Sequence, residues 1–173
     1  MQYYLLARTE LQILFGEQQT ISKDVLINAT EDVADNLFAS IMLVHRHLMV
    51  DDSNYRDLIT YCEYYIDLCD NTFELGLSDE DKHMCAASII AMKMPSVEEY
   101  PSVIAYLESY KDYAVDMTST LWILREQIRY SLLAYYMQNL DHREKAKALL
   151  SMLKPNADEF KSRYYAYTRN LNV

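Results

Sequence analysis

Glycine and proline are nearly missing from this chain. Two glycines (Gly16, Gly76) and three prolines (Pro95, Pro101, Pro155) serve 173 residues. Strand-rich folds use both residues at hairpin after hairpin, so the scarcity argues against a sandwich or barrel. It also removes the Gly-rich phosphate loops, because neither G-x-G-x-x-G nor G-x-x-x-x-G-K-[ST] can be written with two isolated glycines. Cysteine is scarce as well. Cys62, Cys69 and Cys85 are an odd number with no close pair, so no disulfide framework is expected and a reducing compartment is. No apolar run approaches the roughly 18 residues that span a bilayer. Residues 1–10 carry no basic region ahead of an apolar one, so no signal peptide is expected. These absences together predict a cytoplasmic protein.

What is present is apolar and acidic. Hydrophobic residues make up 51% of the chain, enough to bury the core of one domain spanning residues 1–173. The net charge of −10 is uneven. Residues 1–120 hold 21 acidic and 7 basic side chains, whereas residues 121–173 hold 5 acidic and 9 basic. The densest acidic stretch, 51–116, has 15 acids and 4 bases. Such a balance disfavours nucleic acid and anionic membranes as partners, although Arg143, Lys145, Lys147 and Lys154 make the C-terminal third locally basic.

The apolar residues recur at helical spacing. Leu26, Ala29, Val33, Leu37, Ile41, Val44 and Leu48 step by three and four, which predicts one helix of roughly 25 residues. Asp51, Asp52 and Ser53 end it. Leu58, Cys62, Tyr65 and Cys69 predict the next helix, stopping at Gly76 in a left-handed conformation. Ser78 is read as the following N-cap, with Asp79, Glu80 and Asp81 in the first turn. That helix closes at Pro95, and Pro101 opens another running to about residue 114. A long helix is expected over about 117–140. Asp141 with Glu144, and Asn156 with Glu159, have the form of capping boxes. With a first helix over about 2–15, the expectation is an all-α domain of about eight helices, stacked as antiparallel hairpins.

One segment carries a family likeness. Ala134 and Tyr135 pair with Ala146 and Leu150 across a turn, and Pro155 follows, over residues 131–155. This pattern resembles a tetratricopeptide repeat. The resemblance implies that Ala134 and Tyr135 pack against Ala146 and Leu150, and that Pro155 ends the unit. It also implies a helical-repeat array. An irregular helical bundle is the other architecture.

Residues capable of chemistry are few and poorly spaced. Glu80 and His83 form one Glu-x-x-His step, whereas a di-iron bundle needs two such steps and two more glutamates. Cys62 and Cys69 lie two turns apart, about 10 Å along a helix, and His83 and Cys85 point to different faces. His45, Arg46 and His47 suit the negative end of a helix dipole. No nucleophile elbow or oxyanion loop is visible. The expectation is therefore no enzyme, no metal and no cofactor.

Tyrosine is the unusual abundance, at sixteen against four Phe and one Trp. Tyr3-Tyr4, Tyr64-Tyr65, Tyr135-Tyr136 and Tyr164-Tyr165 are adjacent pairs. Neighbours on a helix differ by about 100°, so one ring of each pair can enter the core and the other its edge. Edge tyrosines suit an interface. Tyr61, Tyr64, Tyr106, Tyr110 and Tyr113 alternate with acids, and Glu63, Asp67 and Asp70 share one helical face. These eight residues are the expected docking face of a protein-interaction module, an adaptor or regulator that takes a peptide or protein with a basic segment. Two alternatives remain: an acidic inhibitor occupying a nucleic-acid-binding groove, and a homo-oligomeric structural protein.

Overall fold

The computed structural model describes residues 21–48 apart from 32 and 34, residues 55–93 and residues 101–169. The expected first helix, Tyr3-Tyr4, the stop at 51–53 and the Pro95 boundary lie outside them. The described residues are helical, with no strand among them. In chain order the helices are α1 (Lys23–Thr30), α2 (Asn36–His47), α3 (Tyr55–Phe73), α4 (Asp79–Lys93), α5 (Pro101–Glu108), α6 (Thr120–Tyr136), α7 (Arg143–Leu153) and α8 (Ala157–Thr168). Short 3₁₀ turns, Leu140–His142 and Lys154–Asn156, precede α7 and α8. The prediction of about eight packed helices matches closely.

The core lies around α4, which is buried continuously from Met84 to Ala91 and packs against α2, α3 and α6. Three small side chains in that run, Ala86, Ala87 and Ser88, let neighbouring helices approach closely. Ser88 is fully buried, and its hydroxyl donates to the Cys85 carbonyl at 2.7 Å, so no polar group there is orphaned. The three thiols are buried too. Burial pushes the Cys69 thiol up to about 11 and raises Cys62 and Cys85 as well, so they behave as small apolar fillers.

The predicted helix over residues 26–48 is two helices. Asp35 divides them. Its Oδ1 accepts the Phe38 backbone N–H at 2.8 Å, and its Oδ2 accepts the Thr120 hydroxyl from α6. The apolar stripe survives the break, since Leu26, Leu37, Ile41, Val44 and Leu48 are all buried. The next turn is closer to expectation. Gly76 has φ +70, but α3 has already ended at Phe73, and Glu74 also takes a left-handed conformation at φ 51. Ser78 and Asp81 cap each other reciprocally, N–H to side-chain oxygen, at 3.1 and 3.0 Å. Pro101 occupies the first turn of α5, but that helix stops at Glu108 rather than near 114.

The two later capping boxes do not form. Asn139, not Asp141, caps the chain there, accepting the Asp141 N–H at 2.9 Å, and the 3₁₀ turn leads directly into α7. Asn156 makes no side-chain cap bond, because another 3₁₀ turn already delivers the chain to α8. The predicted long helix ends at Tyr136, four residues early.

One cluster locks the 109–116 connection onto α6. Glu126 is 2% exposed and Arg129 7%. Glu126 Oε1 accepts from Arg125 at 2.8 Å and Arg129 at 3.1 Å. The same guanidiniums donate to the carbonyls of Tyr113 and Lys111, at 3.1 and 2.7 Å. Burial, and then repulsion from Arg125, lower the Arg129 pKa, while Glu126 opposes both.

Candidate functional site

The eight residues expected to form a docking face lie on α3 and the 106–113 segment, both beside α4, and the fold uses most of them internally. Glu63 Oε1 lies 2.6 Å from His83 Nδ1. Lys82 sits between Asp67, at 2.6 Å, and Asp70, at 3.4 Å. Asp70 also accepts the Leu77 N–H at 3.0 Å, closing the turn after α3. The hydrogen bond to Asp67 is the largest cause raising the Lys82 pKa. The three carboxylates that share a face of α3 thus face α4, and they join the two helices.

The tyrosines divide. Tyr61 is 3% exposed and belongs to the core, which corrects its assignment to a contact edge. Tyr106 packs on that core, donates to the His83 carbonyl at 3.3 Å and meets Tyr110 edge-on at 5.4 Å. Tyr113 donates to Asp81, and burial, followed by that hydrogen bond, pushes its pKa up to about 12. Tyr64 and Tyr110 remain partly exposed. The three described adjacent pairs place Tyr65, Tyr136 and Tyr164 deeper than Tyr64, Tyr135 and Tyr165. Tyr165 is 59% exposed.

Another surface keeps large apolar side chains in water. Met137 is 72% exposed and Leu140 89%, both at the turn between α6 and α7. On α7, Leu150 and Met152 are exposed, among Arg143, Lys145, Lys147 and Lys154. Of the four residues in the implied repeat pairing, Tyr135 and Ala146 pack against the core, whereas Ala134 and Leu150 are exposed; Tyr136, Leu149 and Leu153 are the buried residues there. A groove of about 210 Å³ runs beside α7, lined by Glu108, Lys111, Tyr136, Lys145, Leu149 and Met152. Glu108 accepts from Tyr136, and Lys145 lies 3.4 Å from Glu108 and 5.6 Å from the Tyr136 ring centre. The sequence carries a signal for this surface that helical periodicity does not contain. Met137 and Leu140 are large apolar residues beside a turn, outside any core stripe.

A second cleft, of about 350 Å³, opens between α2, α4, α6 and α8. Its histidine, His45, has an Nδ1 sealed from solvent with no hydrogen-bond partner. Burial, and then Lys93, lower the His45 pKa below the ordinary 6.5, against a weaker upward pull from the Met92 carbonyl. His47 is lowered by burial and then by Arg46. In the unfolded chain both return to the ordinary value, so below it the unfolded state binds more protons. Their stabilising contribution is complete above about pH 6.5 and is lost as pH falls through the folded values. Urea midpoints should drop between about pH 7.5 and pH 5.5, and the drop should shrink in His45→Gln. Identical pH slopes in the two proteins would rule out His45 as the titrating group.

No group of three or more His, Cys, Asp or Glu able to hold a metal occurs among the described residues. No helix among them is long and apolar enough to cross a membrane. Compared with known proteins, the chain matches no family model, no curated protein and no solved structure.

Proposed function

We propose that this protein is a non-enzymatic helical interaction module whose docking face is the α6–α7 hairpin, and that its partner is an acidic segment with apolar residues. The exposure of Met137 and Leu140 carries this reading. Large apolar side chains kept in water, with basic side chains around them, have the composition of a contact surface rather than a solvated one. The Lys111–Lys145 groove adds an apolar floor with a mixed rim, where Lys145 lies beside Glu108 and Lys111 beside Asp112. The basic partner suggested by composition is less well supported, because Lys82 and His83 already engage the carboxylates of Glu63, Asp67 and Asp70. The same engagement weakens the nucleic-acid-mimic reading, which needs free carboxylates in rows.

Two amphipathic peptides of about 15 residues, long enough to form helix on contact, make the test. One carries Leu on one face and Glu on the other; in the second, Lys replaces Glu. The Glu peptide should bind, and should weaken as salt rises past about 0.1 M, where the Debye length falls to roughly 10 Å. Lys145→Gln, Lys147→Gln and Lys154→Gln together should weaken it at least tenfold, by slowing association. Glu74→Gln, Asp79→Gln and Glu80→Gln, at exposed acids, should leave it unchanged. Preferential binding of the Lys peptide, lost in the acid-to-Gln set, would move the working surface to the acidic face. Binding of neither peptide would sink the reading.

A further inference from the structure

The cleft between α2, α4, α6 and α8 is a site of a different kind. Met42 and His45 come from α2, Ala91 and Met92 from α4, Gln127, Tyr130, Ser131 and Ala134 from α6, and Tyr164 from α8. Gln127, Ser131 and Ala134 are spaced by four and three, so they form one strip along α6. We propose that this cleft binds a neutral, planar heteroaromatic group bearing an N–H, with Gln127 reading that polar edge.

Size sets the first limit. A cavity of about 150 Å³ holds benzene, so about 350 Å³ has room for a bicyclic ring. The walls set the ring's character. Thioethers of Met42 and Met92 favour aromatic neighbours. Tyr130 and Tyr164 each meet Phe160, at 4.9 and 5.8 Å between ring centres, the latter pair stacked. A bound ring would extend this aromatic wall. Charge sets the next limit. No carboxylate lines the cleft to receive a cation, and Lys93 lies close by, with its ammonium 3.4 Å from the His45 carbonyl. Nor does a Lys or Arg line it to receive an anion, since the Lys93 ammonium is turned to the His45 carbonyl outside the lining.

Polarity makes the site selective rather than greasy. Gln127 is half-buried and lines the cleft. Ser131 donates to the Ala91 carbonyl at 3.0 Å, so its oxygen keeps only acceptor capacity. Both residues can accept an N–H, and Ser131 can do nothing else, so a ring that donates suits this wall best. Ala134 lines the cleft and is exposed, which places it at the mouth.

Indole, and indene as its hydrocarbon counterpart, are the probes. The protein carries ¹³C-labelled methionine methyls and is titrated at about pH 7.5, above the ordinary His45 value. Indole should shift the Met42 and Met92 methyls saturably, and should bind about tenfold more tightly than indene, the worth of one net hydrogen bond. Gln127→Leu should erase that preference without moving the unfolding midpoint. Ala134→Trp, at an exposed position, should fill the mouth and abolish both shifts. Absence of saturable shifts up to about 10 mM, a range that covers millimolar affinity, would overturn the proposal. So would equal affinity for indole and indene, or shifts that persist in Ala134→Trp.

Discussion

Glu126→Leu should destabilise the protein by about 3–5 kcal/mol, the cost of breaking a buried ion pair from one side. Removing the carboxylate leaves the guanidiniums of Arg125 and Arg129 confined, with side-chain exposures of 13% and 8%. The remaining acid, Asp112, is 4.0 Å from Arg129 and largely exposed, so it compensates little. The double variant Glu126→Leu/Arg129→Leu should cost less than Glu126→Leu alone, because it removes the stranded charge along with its partner. Part of the loss will remain, since Arg129 also holds the Lys111 carbonyl at 2.7 Å. Urea unfolding should show the midpoint fall at constant slope. A cost below about 1 kcal/mol would place the cluster with ordinary surface pairs.

Ile41→Asp should abolish cooperative unfolding near 25 °C or nearly so. Ile41 is 0% exposed and sits in the stripe that α2 presents to the core. An aspartate there either ionises without a partner or stays protonated at the cost of a shifted pKa, and it also forfeits the packing of the lost isoleucine. The combined several kcal/mol compare with the roughly 5–15 kcal/mol that hold a domain of this size together. Ser162→Asp, an equal change of charge at an exposed position of α8, should stay within about 0.5 kcal/mol. Near-native melting of Ile41→Asp would mean that this stripe does not face the core.

Much of the fold was legible because it depends on short-range rules. The Ser78 cap, the Pro101 start and the left-handed Gly76 each follow from one residue's own chemistry. The buried members of the 26–48 stripe follow from periodicity. The break inside that stripe rests on a local cap, Asp35 to the Phe38 N–H, which apolar periodicity runs straight across; Thr120, 85 residues away, supplies the second bond that holds Asp35. Asp141 and Asn156 do lie at helix starts, but neither forms a capping box, since a 3₁₀ turn leads into each helix there.

The candidate sites divide the same way. Sequence spacing placed Glu63, Asp67 and Asp70 on one face of a helix, and that is where they lie. Whether a carboxylate faces water or a lysine depends on the neighbouring helix, and α4 supplies Lys82 and His83 opposite them. Composition likewise gave the abundance of tyrosine, but only packing could send Tyr61 inward and leave Tyr165 outside. By itself the sequence determined an all-helical, acidic chain with a basic end, because helical periodicity and net charge are sums over local choices. The tertiary structure alone decided which charges are spent, which apolar side chains stay in water at the α6–α7 turn, and where a cleft opens beside His45. Each of these depends on which surfaces are brought together across tens of residues, and no local rule contains that information.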